Sequence, residues 1–192
     1  MKTTPPDLNA HSLPLGVLPQ SANVTMSDQK TSVSDAMRTA GEMNSSRTVF
    51  APGLSLHADP ALQISGHWRS PPGRLLELDM RMGATGAWIG LHVALDLPDL
   101  SDAGWVGFAC RLAAPEEVMI RPCLRSGTPD GFTDCFFGKH ALAVPEVRDH
   151  LDALHPATNR HIPETAPWRE LVLFLPRQDF RLHLHDLRPF SA

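Results

Sequence analysis

Phe180-Arg-Leu-His-Leu-His-Asp-Leu-Arg-Pro-Phe190 is the stretch on which the fold turns. Phe180, Leu182 and Leu184 alternate with Arg181, His183 and His185. That is the two-residue period of a strand with one dry and one wet face. Just upstream, Trp168-Arg-Glu-Leu-Val-Leu-Phe-Leu175 is a second apolar run, closed by Pro176-Arg-Gln-Asp179.

The same grammar extends back to Val49. Leu54–His57 and Leu62–Ile64 are short strand candidates. Leu76, Leu78, Met80 and Met82 alternate with Glu77, Asp79 and Arg81. After the turn Gly83–Gly86, Ile89, Leu91, Val93 and Leu95 occupy one face and Trp88, Gly90, His92 and Ala94 the other. The two segments are expected to form a hairpin. Trp105–Leu112, Val118–Arg125 and Phe132–Phe137 continue the series, with Pro122 predicting an edge strand or a bulge. Val144–His161 reads as a long polar loop with one helical turn near Pro145–Leu154. Short strands punctuated by Gly and Pro, without strand–helix alternation, predict an all-β antiparallel β-sandwich of jelly-roll type.

Residues 1–48 have a different composition, rich in Ser, Thr, Asn, Pro and Met. They cannot bury enough surface to offset chain entropy, so a disordered tail is expected ahead of a domain over 49–192. Within it, Ser34–Met43 has the pattern of a brief helix, and Leu13–Leu18 is a short apolar segment that a linker or a partner-binding motif would both explain.

Composition bounds the function. A net charge of −4 supplies no general attraction to nucleic acid or to an anionic membrane. No apolar run approaches the roughly 20 residues of a membrane span. The N-terminus lacks the apolar stretch of a signal peptide, which leaves the cytoplasm as the expected compartment. Cys110, Cys123 and Cys135 have no zinc-ligand spacing and are expected to be small buried hydrophobes. No cofactor is implied. There is no Gly-x-Ser-x-Gly, P-loop or His-Glu-x-x-His, and a Glu77/Asp79 pair on a wet strand face is ordinary.

Three constellations could carry chemistry. His183 and His185 project to one strand face, as do the histidines of a cupin His-x-His metal element, but no third ligand follows within a few residues. Arg121, Arg125, Asp134, Lys139 and His140 gather charge beside Phe132, Phe136 and Phe137. Arg121 and Arg125 share a strand face about 13 Å apart. Planar guanidinium groups beside aromatic rings and a carboxylate suit a sugar or an anion. Finally, Trp88 is the tryptophan best placed for exposure among Trp68, Trp88, Trp105 and Trp168, because its face carries Gly90 and His92. The chain has no Tyr, a common partner of sugars.

The closing run Leu182-His-Leu-His-Asp-Leu187 resembles the last strand of galactose-binding-like and carbohydrate-binding-module jelly rolls. The resemblance covers about residues 49–190 as architecture. It extends more faintly to jelly-roll modules of bacterial proteins linked to glycosyl transfer or surface polysaccharide. It implies a non-catalytic binding module and carries over no site residue. The leading expectation is therefore a module for a glycan or other polar ligand using Arg121, Arg125, Asp134, Lys139, His140 and Trp88. A protein-interaction or scaffolding domain is the alternative. A cupin-like metal-dependent enzyme using His183 and His185 is the third reading.

Overall fold

A computed structural model describes residues 40–192, and these form two antiparallel sheets packed as a jelly-roll sandwich. The strands are β1 (Ala40–Met43), β2 (Arg47–Ala51), β3 (Leu54–Ala58), β4 (Ile64–Arg69), β5 (Leu76–Met82), β6 (Ile89–Leu95) and β7 (Val106–Ala113). They continue as β8 (Val118–Thr128), β9 (Gly131–Phe136), β10 (Ala141–Ala143), β11 (Arg148–Leu154), β12 (Arg169–Phe174) and β13 (Phe180–Ser191). One sheet, sheet A, has the order β1-β4-β5-β13-β7-β11. The other, sheet B, has the order β10-β8-β12-β6-β3-β2, with β9 also on β8.

The core lies where the inner faces meet. Sheet A contributes Leu78, Met80, Phe108, Leu112, Leu182 and Leu184, and sheet B contributes Leu56, Leu91, Val93, Ile120, Leu171 and Leu173, all buried. Each such side chain stabilises the sandwich by about 1.5–3 kcal/mol relative to exposure. The two closing strands belong to different sheets, β12 to sheet B and β13 to sheet A, so the chain crosses the sandwich at its end.

Five expectations are corrected. The hairpin between Leu76–Met82 and Trp88–Leu95 does not form: β5 pairs with β4 and β13, while β6 pairs with β3 and β12. The glycines between them serve close approach instead. A Cβ on Gly86 would lie 2.5 Å from Leu62 Cγ, and the Gly83 and Ala84 N–H groups donate to the Leu62 carbonyl. Leu62 itself closes a single 3-10 turn, Pro60–Leu62, so strand structure resumes only at Ile64.

Pro122 is not in an edge strand but lies at an irregularity, where the register on β8 shifts by two residues between Cys123↔Phe136 and Ile120↔Ala141. β8 has β12 on one side and β9 and β10 end to end on the other. The Pro122 carbonyl accepts from the Phe137 N–H at 3.1 Å, so the proline nitrogen faces that same side, at the junction between β9 and β10.

The stretch expected as a polar loop with a helical turn near Pro145–Leu154 contains β11, an edge strand paired with β7. Its register puts His150 and Asp152 on the inner side and leaves Leu151 exposed, the reverse of the usual alternation. Finally, Ala40–Met43 is a strand rather than the end of a helix, pairing with β4, and β2 begins at Arg47. Strand structure thus starts before Val49. The Leu13–Leu18 segment and the start of Ser34–Met43 lie outside the described residues.

Arg169 explains how the long crossing before β12 is fixed. Its position in the strand turns it inward with Leu171 and Leu173, and it is only 1% exposed. The guanidinium donates to the carbonyls of Leu97, Pro163 and Glu164 and to Ser126 Oγ, at 2.7–2.9 Å. Burial lowers its pKa from the ordinary value, but the partners keep the buried charge satisfied.

Candidate functional site

The outer face of sheet B follows from strand parity. With Leu56, Leu91, Leu124 and Leu171 inward, the alternate residues point out: Ser55 and His57 on β3, Gly90 and His92 on β6, Glu170 and Phe174 on β12, Arg121 and Arg125 on β8. β9 adds Phe132, Asp134 and Phe136.

Two polar units are built on this face. On β8 and β9, Arg125 and Asp134 are directly opposite and form a two-pronged pair, 2.7 Å from Nε to Oδ1 and 2.8 Å from Nη2 to Oδ2. The hydrogen bonds that Arg125 donates to Asp134 raise its pKa above the ordinary value. The Arg125 guanidinium also lies 3.9 Å from the centroid of the Phe132 ring. On β6 and β12, His92 Nδ1 is 2.8 Å from Glu170 Oε2, and that hydrogen bond is the main reason the Glu170 carboxyl sits below its ordinary value. His57 stacks on His92 with centroids 4.4 Å apart and planes at 21°, while Ser55 Oγ is 3.0 Å from His57 Nε2. Burial, and then the neighbouring His92, push the His57 pKa down.

Aromatic rings surround these units. The Arg121 guanidinium lies 3.7 Å from the Phe136 centroid, and Phe136 packs on Phe174 at 5.9 Å. Trp88 meets His92 edge-on at 6.4 Å. Phe132, Phe136 and Trp88 are 54%, 37% and 38% exposed, so ring surface is available to a ligand. The face offers hydrogen-bonding groups fixed by pairing, set among open rings.

The structure therefore brings Arg121, Arg125, Asp134 and Trp88 to one face. Lys139 and His140 lie apart, exposed in the connection from β9 to β10, where the Lys139 N–H donates to Asp152 Oδ2. His183 and His185 are on sheet A. His183 is opposite Glu77, and His185 falls at a register irregularity between Leu184 and Asp186. Among the described residues no third His, Cys, Asp or Glu joins them in a group fit for a metal. Sequence reasoning missed His57, Glu170 and Phe174. The alternation of β6 already placed His92 outward, but its carboxylate partner comes from a strand distant in sequence.

Sheet A has its own outer hollow of about 600 Å³, lined by Glu42, His67, Glu77, Asp79, Arg181 and His183 among others. Its carboxylates are largely engaged. Glu77 is buried, which pushes its pKa up, but hydrogen bonds from Arg69 and Arg74 outweigh burial and hold it low. Asp79 pairs with Arg81 at 3.2 Å. Trp68 also lines this hollow, but it is half-buried, packed against the core and edge-on to Phe50 at 5.0 Å, so it presents less open ring than Phe132 does on sheet B.

The three buried cysteines are free. Burial pushes the Cys110 thiol up to about 12 and also raises Cys123 and Cys135. Cys110 and Cys135 pack in the apolar core, and Cys135 Sγ also accepts a hydrogen bond from Asn159 Nδ2 at 3.0 Å.

No family model matches the chain, and no curated protein matches it. Solved structures that are similar to it are mostly carbohydrate-binding modules. The xylan-binding CBM22-1 domain of Paenibacillus barcinonensis Xyn10C aligns with a TM-score of 0.49 and 10% identity, over 80% of this chain and 95% of that one. A family 11 carbohydrate-binding module from Clostridium thermocellum, in complex with a mixed-linked tetrasaccharide, aligns at 0.48 and 9%, over 81% and 98%. Endoglucanase 3 of Trichoderma harzianum, family GH12, aligns at 0.47 and 7%, over 82% and 99%.

Proposed function

We propose that the protein is a non-catalytic module that binds a glycan, or a similarly polar ligand, on the outer face of sheet B. The observation that carries this is the Arg125–Asp134 pair set beside open Phe132 and Phe136 rings. A sugar ring has an apolar C–H face and a rim of hydroxyls. The first packs on an aromatic ring, and the second takes hydrogen bonds from groups already held in place. Arg125 and Asp134 hold each other, so a ligand need not order them on binding. An association with bacterial polysaccharide or glycosyl-transfer systems belongs to the same reading.

A glycan array probed with the purified protein tests it, followed by titration of Phe132→Ala and Phe136→Ala. Binding that falls about tenfold or more in these variants supports the reading. Silence across the array contradicts it.

One observation favours a protein partner instead. Met119 and Leu142 are directly opposite each other at one end of the same face, 59% and 42% exposed. A stable co-purifying protein, lost in Met119→Ser, together with a silent array, would establish that reading.

A further inference from the structure

The registers of sheet B align five outer residues in one cross-strand row: Arg47, His57, Gly90, Phe174 and Arg121. The row has a guanidinium at each end, and the ends are four strand spacings apart, about 19 Å. Both arginines are exposed, and among the described residues neither makes a salt bridge. The other ionised groups of the face are already matched. Arg125 is closed by Asp134, and Glu170 is bound to His92. The two carboxylates stand two outer rows away, beyond the row of Cys123, Val172, His92 and Ser55, where Glu170, Arg125 and Asp134 face one another in turn.

His57, Gly90 and Phe174 fill the row between the two cations: Gly90 is buried, with Val172 Cγ1 and His92 Nε2 within 3.4 Å of where its Cβ would stand, and Phe174 packs on Phe136. The Arg121 guanidinium lies 3.7 Å over the Phe136 ring, so this exposed side chain is restrained before any ligand arrives. An unpaired planar cation held in this way suits a carboxylate or sulfate group, which it meets with two parallel hydrogen bonds.

Resting on the glycan reading above, we infer that the ligand is an anionic glycan, carrying carboxylate or sulfate groups, that lies across the strands from Arg47 to Arg121. A neutral sugar would leave both guanidinium groups without an ionic partner. The overall charge of −4 makes this a local preference, since the chain as a whole repels polyanions.

The experiment uses the full chain against four probes: neutral oligosaccharides, oligogalacturonate, a sulfated oligosaccharide and a single-stranded oligonucleotide. Wild type, Arg47→Gln, Arg121→Gln, Arg121→Lys, the double Gln variant and Phe132→Ala are titrated, with folding checked by circular dichroism. Wild type is expected to bind an acidic glycan above the neutral ones. Each Gln variant should lose about ten- to hundredfold on the acidic glycan only. Arg121→Lys, which keeps charge but not the planar fork, should fall between. The oligogalacturonate and sulfate arms decide which anion is read.

Phe132→Ala should weaken every glycan arm, which separates the two readings. Neutral and acidic glycans bound alike, with Gln variants unchanged, would overturn the anionic inference and leave the glycan reading standing. Binding of the oligonucleotide alone, or of no probe by folded protein, would overturn both.

Discussion

Arg125 and Asp134 sit opposite each other on β8 and β9 and join through two hydrogen bonds of 2.7 and 2.8 Å, with side chains 15% and 22% exposed. This half-buried pair fixes β9 to the sheet and holds two polar groups beside Phe132. Replacing either partner leaves the other charge facing a poorly solvated surface. Arg125→Met and Asp134→Asn should each destabilise the fold by about 1–3 kcal/mol, and the double variant should cost less than their sum. Urea denaturation of the four proteins measures the coupling; strict additivity would remove the pair from the account.

Arg169 is predicted to be the costliest single polar replacement. Arg169→Met leaves the carbonyls of Leu97, Pro163 and Glu164 without their donor inside the sandwich. A loss of about 3 kcal/mol or more is expected, read from the shift in denaturation midpoint. A loss within about 0.5 kcal/mol, the range of a surface substitution, would contradict the role given to this side chain.

Acid should destabilise the fold in two stages. His57, His150, His183 and His185 are all held below the ordinary value of 6.5, chiefly by burial. The unfolded chain therefore takes up protons first as pH falls past that value, so stability is full above it and declines below it. Glu170 is held below 4.5 chiefly by the hydrogen bond from His92, so its contribution is present above that pH and is lost as pH falls through its folded value. Denaturation midpoints between about pH 7.5 and 5 should fall with pH, and His57→Gln should flatten part of that slope. A midpoint that rises toward acid would contradict the assignment.

The cysteines give a simple check of packing. Cys110, Cys123 and Cys135 are buried and their thiols are raised, so little thiolate exists at neutral pH. A thiol reagent should react slowly with native protein and rapidly once it is denatured. Fast native labelling of any of the three would mean that the sandwich opens locally there.

The strand faces were legible wherever burial was one-sided. Alternation in β13 names the core residues, because one face meets the other sheet and one is partly or fully open, whereas in β6 the outward Gly90 and His92 are buried as well. It failed at β11, where the apolar Leu151 faces solvent and polar His150 and Asp152 face inward beside the edge. Sheet membership was not legible at all. β5 and β6 are close in sequence and look like a hairpin, yet the contact between Gly86 and Leu62 sends the chain across to the other sheet. The site was half legible for the same reason. Arg125 and Asp134 are near in sequence and pair, whereas His92 and Glu170 meet only through the long-range pairing of β6 and β12. Lys139 and His140 are as near in sequence as Asp134, but they follow the end of β9 and leave the face.

The most direct measurement is a residue-resolved map of binding. Backbone amide spectra of the protein, titrated with the tightest glycan from the array, should shift at Arg121, Arg125, Phe132, Asp134, Phe136 and Phe174. The hollow of sheet A around Glu42, His67 and His183 should stay unchanged. Shifts confined to that hollow, with the outer face of sheet B silent, would contradict the site proposed here.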